Sequence, residues 1–549
     1  MLRVTNGRVY DPRNGVAGEV RDLWLDGGKV VAAPSGPPPA GAETLDAAGC
    51  VVLPGGVEIH SHVAGSKVNA GRLMCPEDHA DHFLHRTGVT RAGCGYTVPT
   101  TYMTGYEYAR MGYTTLFEAA VPPLTARHAH EELRDIPILD TGCYAVMGNN
   151  HLVMSVLTDP DETRRAERLR DLVAWLLDAS RSYAVKIVNP GGVERWKWRS
   201  SSTDLDTPVP SFGVTPRQIL IGLAAAVEEM GLPHSVHVHL NHLGAPGNAS
   251  VTLDSMRALS GHRVHYTHLQ FHSYETTKAK GYASGAAAIA EYINGHPEFT
   301  CDVGQLVFGP ATTMTSDAPM EFRLHHLHKD KWFNADVEME SGAGVVPMVY
   351  RPKQLVNAVQ WCVGLELMLL IRDPWRIFLT TDHPNAGPFV AYPMIIRLLM
   401  DREFRREWLE KLHPQVRRHT DLHELTREYT LEEIAIVTRA GQARALGLAD
   451  KGHLGVGADA DVAVYHDQAD RERMFAAPAF VVKGGEVVAR DGEVTAAVTG
   501  RPLGVDLGER PRLAPDLAEQ FESYSSVRLA NYAVEDVYVP EQVLIPCAR

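Results

Sequence analysis

No stretch of about 18 apolar residues occurs in the 549-residue chain, which argues against a membrane-spanning helix. Its opening residues, MLRVTNGRVYDP, also lack the apolar core of a secretory leader. Cysteine is scarce. The seven, Cys50, Cys75, Cys94, Cys143, Cys301, Cys362 and Cys547, are odd in number and form no CxxC pair. This excludes a disulfide framework and an iron–sulfur cluster, and predicts a reducing, cytoplasmic setting. Positive charge is in deficit too. Lys and Arg number 53 against 67 Asp and Glu, a net charge of −14, so a basic face for nucleic acid is not expected. A local basic pocket for an anionic ligand stays compatible with that total.

What is present is a globular composition, 45% apolar and 22% charged. The length exceeds what one core serves, which predicts a large domain of roughly 250 to 400 residues with a smaller companion. Both ends read as short strands. Leu2-Arg3-Val4, Val20 to Leu25 and Lys29-Val30-Val31 alternate between Gly-containing turns, and GVGADADVAVYH (455–466) and FVVKGGEVVARDGEV (480–494) give the same signal near the other end. The middle alternates strands with helices. GYTTLFEAAV (112–121), residues 136–146 and YAVKIVN (183–189) read as strands, and residues 161–181 carry the apolar stripe Leu169, Leu172, Val173, Leu176 and Leu177 at helical spacing. Such alternation implies parallel βα units, and a chain of them fits a (β/α)8 barrel. The expected division is 1–53 and 448–549 as the two parts of a β domain with a tail, and 54–447 as the barrel.

The chemistry centres on VVLPGGVEIHSH (51–62). After the Pro54-Gly55-Gly56 break, Val57 and Ile59 alternate with Glu58, His60 and His62. Residues i and i+2 of a strand share a face, so His60 and His62 present two imidazoles side by side, a chelating pair for a metal such as zinc. Two surface histidines of a His-rich chain is the competing reading. Lys186 sits among Val185, Ile187 and Val188, where a buried ammonium is costly; an edge strand with its lysine in water is the alternative. In HSVHVHL (234–240) and VHYTHLQFH (264–272) the histidine nearer the strand's C-terminal end is the better candidate, which favours His239 over His237 and His268 over His265. Asp382 follows the apolar strand Ile377-Phe378-Leu379, where a helix-capping role competes with a ligand role.

The ordered series HxH, Lys, His, His, Asp resembles the amidohydrolase superfamily. That resemblance implies a TIM-type (β/α)8 metal-dependent barrel with a small composite β-sandwich domain from both termini. It also implies two divalent metal ions, Zn2+ by expectation, held by His60, His62, Lys186, His239, His268 and Asp382. Lys186 would be N6-carboxylated and bridge the metals as an anion, and Asp382 would carry the proton. Two such metals lower the pKa of a shared water and polarise a carbonyl, which gives hydrolysis of an amide-like C–N bond or its reverse.

Longer stretches are more specific. HSHVAG (60–65), MGNNH (147–151), KIVNPGG (186–192), HVHLNHLGAPGN (237–248) and CDVGQLVFGPATTMTSDAP (301–319) are similar to the formylmethanofuran dehydrogenase A-subunit family, and more so to its bacterial formyltransferase/hydrolase relatives. The resemblance implies hydrolysis of N-formylmethanofuran to formate and methanofuran in one-carbon oxidation, within a complex of other subunits. Methanofuran, the C1 carrier, has a glutamate-rich tail. Arg195 to Arg199 and Arg417-Arg418-His419 are candidate contacts for it, while Asn150, Asn241 and Gln305 are candidates for the formyl pocket. Other readings consistent with the sequence are the reverse condensation of formate with methanofuran, a stand-alone cyclic-amidase or N-acyl amino acid amidohydrolase, and a ligand-poor scaffold barrel, which the complete ligand set disfavours. Tyr524, Tyr532, Tyr538 and Pro540, in a poorly periodic C-terminal stretch, mark either a partner-wrapping segment or an ordered surface tail.

Overall fold

The structure, a computed structural model, describes residues 1–199, 204–277, 281–335, 339–340 and 343–548. Eight parallel strands form its centre: Gly56–Ser61, Tyr113–Val121, Asp140–Val146, Ala184–Val188, Val236–His239, Val264–Tyr266, Phe299–Asp302 and Ile377–Phe378. Each pairs in parallel with the next in sequence. The sheet curls until its first and last members meet. Ser61 bridges His383 in parallel, and the His62 N–H donates to the His383 carbonyl at 2.6 Å. Among the described residues no helix is long and apolar enough to cross a membrane.

Helices follow the strands because the apolar period changes from near-continuous to 3.6 residues. The longest, Glu162–Ser180, starts where the Asp161 side chain accepts from the Arg164 N–H, and buries Leu169, Leu172, Val173, Leu176 and Leu177. At about 1.5–3 kcal/mol each, burial of those five side chains outweighs capping as the force docking it. Pro216–Glu229 begins with a capping box, Thr215 and Gln218, and a proline in its first turn. The strand expected over 136–146 starts only at Asp140, since Ile138 has φ +74° and Pro137 bridges Thr499.

The two ends of the chain share one nine-stranded sheet. Its seam is the antiparallel pairing of Cys50–Pro54 with Val462–His466. Leu2–Asp11 pairs along one edge with Val16–Asp26 and along the other first with Glu43–Asp46, then with Cys50–Pro54. The sheet is continuous and folds back on itself, with the Val30 N–H donating to Ala458 O at 2.8 Å. Residues 500–548 lie against the barrel instead. Leu503–Asp506 pairs with Val543–Pro546, Thr141 bridges Pro502, and Tyr532 is buried on Trp175 with its hydroxyl donating to Glu340 Oε1 at 2.6 Å.

Barrel and sheet are tied by buried ions. Lys451 lies 2.6, 3.0 and 3.1 Å from Asp140, Asp459 and Asp461, Lys483 lies 2.8 Å from Asp140 and 3.0 Å from Asp461, and Arg501 closes the cluster on Asp140 at 2.8 Å. Burial would raise the Asp140 pKa, but Lys451 and Lys483 hold it well below the usual carboxylate range. Removing one member leaves uncompensated buried charge. Lys451→Met should cost about 3–5 kcal/mol, read as a lowered melting temperature with the ligand ring intact; an unchanged melting temperature would refute this role for the cluster.

Candidate functional site

All six ligand candidates converge at the C-terminal mouth of the barrel. His60 lies in the first strand and His62 just after it, Lys186 in the fourth, His239 at the end of the fifth, and His268 and Asp382 just beyond the sixth and eighth. None is more than 4% exposed. His60 Nε2 lies 2.8 Å and His62 Nε2 3.3 Å from Asp382 Oδ1. Yet His60 Nε2, His268 Nδ1, Asp382 Oδ1 and Lys186 Nζ are buried with no hydrogen-bond partner. Ligand atoms of His60, His268 and Asp382 fall within 4.8 Å of one another. Orphaned buried donors and acceptors are costly, and a cation shared among these imidazole and carboxylate atoms would satisfy them. The residues therefore fit a divalent metal centre.

The local backbone serves this convergence. His268 and Asp382 take φ +37° and +47°, left-handed values that cost about 1–3 kcal/mol each and turn both side chains over the barrel mouth. Gly304, at φ +59°, lets the chain pass close to His268, where a Cβ would come within 2.4 Å of the His268 Cβ.

Electrostatics sort the groups. Burial pushes the Lys186 amine down to about 7, against the pull of Asp302 and Asp382. Burial and neighbouring cationic groups hold His60, His237 and His268 well below the ordinary imidazole range, so their rings are neutral, as metal ligation requires. Burial raises the Asp382 carboxyl, and His62 opposes this.

Several supporting groups were not picked out from the sequence. Glu118, inside the second strand, stands 3.2 Å from His62 Nδ1 and accepts from the Val63 and Ala64 N–H groups at 2.6 and 2.9 Å. Lys67 lies 2.7 Å from it; burial would raise Glu118, but Lys67 and His62 bring it down to about 2. A lone carboxylate in the apolar run GYTTLFEAAV is the same signal that marked Lys186, and would have found it. Asp302 accepts from the His268 N–H and the Thr380 hydroxyl, each at 2.8 Å, and Asp317 Oδ2 lies 3.1 Å from His239 Nε2. Carboxylates that orient ligating imidazoles typically govern metal affinity by about 10–100-fold. Glu118→Gln should weaken metal binding by about that factor; unchanged affinity in a metal titration would remove it from the site.

The three pocket candidates separate. Asn241 lines a cavity of about 860 Å³ beside the ligands, with Nδ2 donating to Asn189 Oδ1 at 2.7 Å and Oδ1 buried without a partner. Asn150 is instead the N-cap of His151–Leu157, its side chain accepting from the Leu152 and Val153 N–H groups at 3.0 and 3.2 Å. Gln305 donates to the Leu306 and Trp361 carbonyls at 3.0 and 3.2 Å. Neither lines the cavity: Asn150 Oδ1 and Gln305 Nε2 are taken up by backbone groups, and Gln305 Oε1 is buried without a partner.

Arg195, Lys197, Arg199 and Arg323 do line it. Buried Arg195 donates to the Asp204 and Thr207 carbonyls, and Lys197 pairs with Glu194 at 3.0 Å. The second basic cluster lines neither cavity: Arg417 and Arg418 are exposed, Arg417 pairs with Glu410, and His419 Nδ1 donates to Tyr282 O at 2.7 Å. A narrower cavity of about 140 Å³ reaches His239, His268 and Asp382 between Leu243, Phe271 and Met348. It shares Leu243, Met320 and Arg323 with the larger one. The helix Ala318–His328 lines both, and an antiparallel sheet, Gly309–Thr315, Phe333–Ala335 and Ala343–Tyr350, lines the narrower one; helix and sheet are inserted between the seventh and eighth barrel strands.

A parallel eight-stranded barrel with this ligand ring at its C-terminal mouth defines a metal-dependent hydrolase of the (β/α)8 class. The chain belongs to the amidohydrolase family, whose sequence profile matches residues 43–489. It is 47% identical over 558 residues to Protein FwdA of Methanocaldococcus jannaschii, covering 97% of each chain. It is 40% identical over 546 residues to the A-subunit of the formyltransferase/hydrolase complex Fhc of Methylorubrum extorquens, covering 98% of each. Among solved structures it is similar to a chain of the Methylorubrum extorquens formyltransferase/hydrolase complex FhcABCD crystallised with methylofuran. There the TM-score is 0.92 at 39% identity, over 100% of both chains.

Proposed function

We propose that this chain hydrolyses N-formylmethanofuran, or a close furfurylamine analogue, to formate and the free amine, as the hydrolytic subunit of a formyltransferase/hydrolase complex. The observation that carries the reading is the ring of buried, unpartnered ligand atoms on His60, His268, Asp382 and Lys186 beside an apolar cavity that opens into a basic one. Full-length identity of 40% to the Fhc A-subunit supports the substrate. The mixed imidazole and carboxylate donors favour zinc.

His60, His62, His239, His268, Asp382 and a carboxylated Lys186 would hold two divalent cations. When bound, these supply a water acidic enough to lose its proton near neutral pH, and polarisation of the formyl oxygen. The rest is the work of the chain. The Lys186 amine, near neutrality in its buried setting, adds to CO2 with loss of one proton and becomes a carbamate anion. The free Asp382 oxygen accepts the proton of the attacking water and returns it to the leaving amine nitrogen. Glu118 and Asp317 keep His62 and His239 oriented. The apolar walls at Leu243 and Phe271 take the furan ring, and the wider cavity's cations attract the acidic tail beyond it. By microscopic reversibility the same groups catalyse condensation of formate with the amine, and the direction depends on what consumes each product.

The test is formate release from N-formylmethanofuran by the metal-loaded chain with partner subunits supplied, alongside hydantoin and N-acyl amino acid substrates. Formate release with no turnover of the others is the expected result. Turnover of a cyclic amide or N-acyl amino acid without formate release would overturn the substrate assignment.

A further inference from the structure

Beneath the ligand ring a row of imidazoles runs down the barrel interior. His60 Nδ1 lies 2.9 Å from His237 Nε2, His237 Nδ1 lies 3.0 Å from His234 Nε2, and His234 Nδ1 lies 2.7 Å from the Ala445 carbonyl oxygen. All three side chains are 0% exposed. The row ends on the helix Gly441–Ala445, which follows the last barrel strand. His234 lies two residues before the fifth barrel strand and His237 is in it, so the row links three separate segments of the chain.

The end of the row sets its direction. A backbone carbonyl only accepts, so the single proton of neutral His234 must sit on Nδ1, leaving Nε2 to accept. His237 must then carry its proton on Nδ1 to donate to His234, and its Nε2 accepts in turn. The proton of His60 is thereby drawn to Nδ1, and its Nε2 is a bare lone pair. That agrees with the other end of the row, where His60 Nε2 lies 2.8 Å from Asp382 Oδ1 yet is buried with no hydrogen-bond partner. The Thr267 hydroxyl touches the same Nδ1, but it both donates and accepts and so imposes no direction. Asp302 Oδ2, 3.6 Å from His60 Nδ1, favours a proton there too, though its direct partner is His265 Nε2 at 3.1 Å.

We propose that the Ala445 carbonyl, acting through His234 and His237, fixes His60 in its Nδ1–H tautomer and so presents Nε2 to the metal. His234 and His237 are positioning residues in this scheme. The inference rests on His60 being a metal ligand and is independent of which amide is hydrolysed.

Neutron diffraction from the metal-free full chain reads the tautomer directly. The expected map has hydrogen on His60 Nδ1 and none on Nε2; hydrogen on Nε2 overturns the proposal. Zinc titration of two variants gives a second readout. His234→Leu removes the acceptor for His237 and should weaken binding at the His60 site by about tenfold or more. His234→Gln supplies an amide oxygen to the same N–H and should restore affinity to within about threefold of wild type, since only the acceptor matters. A purely structural role would lower the melting temperature of both variants and leave the His60 proton in place. Wild-type affinity in His234→Leu, or equal loss in both variants, refutes the relay. If the leucine variant does not fold, the neutron map and the glutamine variant decide.

Discussion

Lys186→Ala is expected to lower formate release by about 10³-fold or more and to leave the chain unable to retain two metals per site. The effect would be large because, in the proposed scheme, this one side chain, once carboxylated, supplies an anionic ligand to the metal site. Lys186 pairs in register with His237 across the fourth and fifth barrel strands, so its amine is carried into the barrel, where Nζ has no hydrogen-bond partner. With burial lowering that amine to about 7, a large share of it is free base near neutrality, and the free base is the form that attacks CO2. The pH dependence follows. The reactive fraction grows as pH rises through about 7, from roughly one tenth at pH 6 to roughly nine tenths at pH 8. At fixed CO2 pressure, reconstitution of the metal-free chain should therefore run several-fold faster at pH 8 than at pH 6. The intact loaded protein should carry the added mass of one CO2 on the peptide containing Lys186. A Lys186→Ala chain that binds two metals like wild type would remove the carbamate from the scheme.

The second large effect is expected at Asp382. Asp382→Asn should reduce kcat by about 10²–10⁴-fold with KM nearly unchanged, the signature of a lost proton carrier. Asparagine is the informative substitution because, like aspartate, it tolerates the left-handed backbone at φ +47°. It keeps an oxygen toward the metal site but has no carboxylate to accept a proton. Loss of metal in parallel with kcat would make Asp382 a ligand alone. An unchanged kcat would assign proton transfer to another group.

The sequence determined this protein's local patterns. Strand alternation put His60 and His62 on one face, the lone cation in YAVKIVN marked Lys186, the change of apolar period placed the helix over 162–180, and the paired Gly-rich strand signals at both ends anticipated a shared sheet. These depend on residues a few positions apart, where backbone geometry alone fixes which side chains meet. Choosing between neighbouring histidines needed depth. His237 and His239 share a face, and only the height of each in the barrel puts one beside Asp317 and the other beneath His60. Asn150 and Gln305 read as pocket residues because amides look alike in sequence. The fold turned one into a helix cap and set the other on the Trp361 carbonyl.

Only the tertiary structure decided what supports the ligands. Glu118 lies 56 residues from His62 in sequence, and single links of the row from His60 to Ala445 span 177 and 211 residues. The sheet inserted over the barrel mouth and the C-terminal segment folded on its flank likewise left no periodic trace. A candidate ligand is marked in the sequence by its residue type and strand position. Its orientation depends on hydrogen bonds from chain segments brought near only when the barrel closes, and no local pattern encodes those.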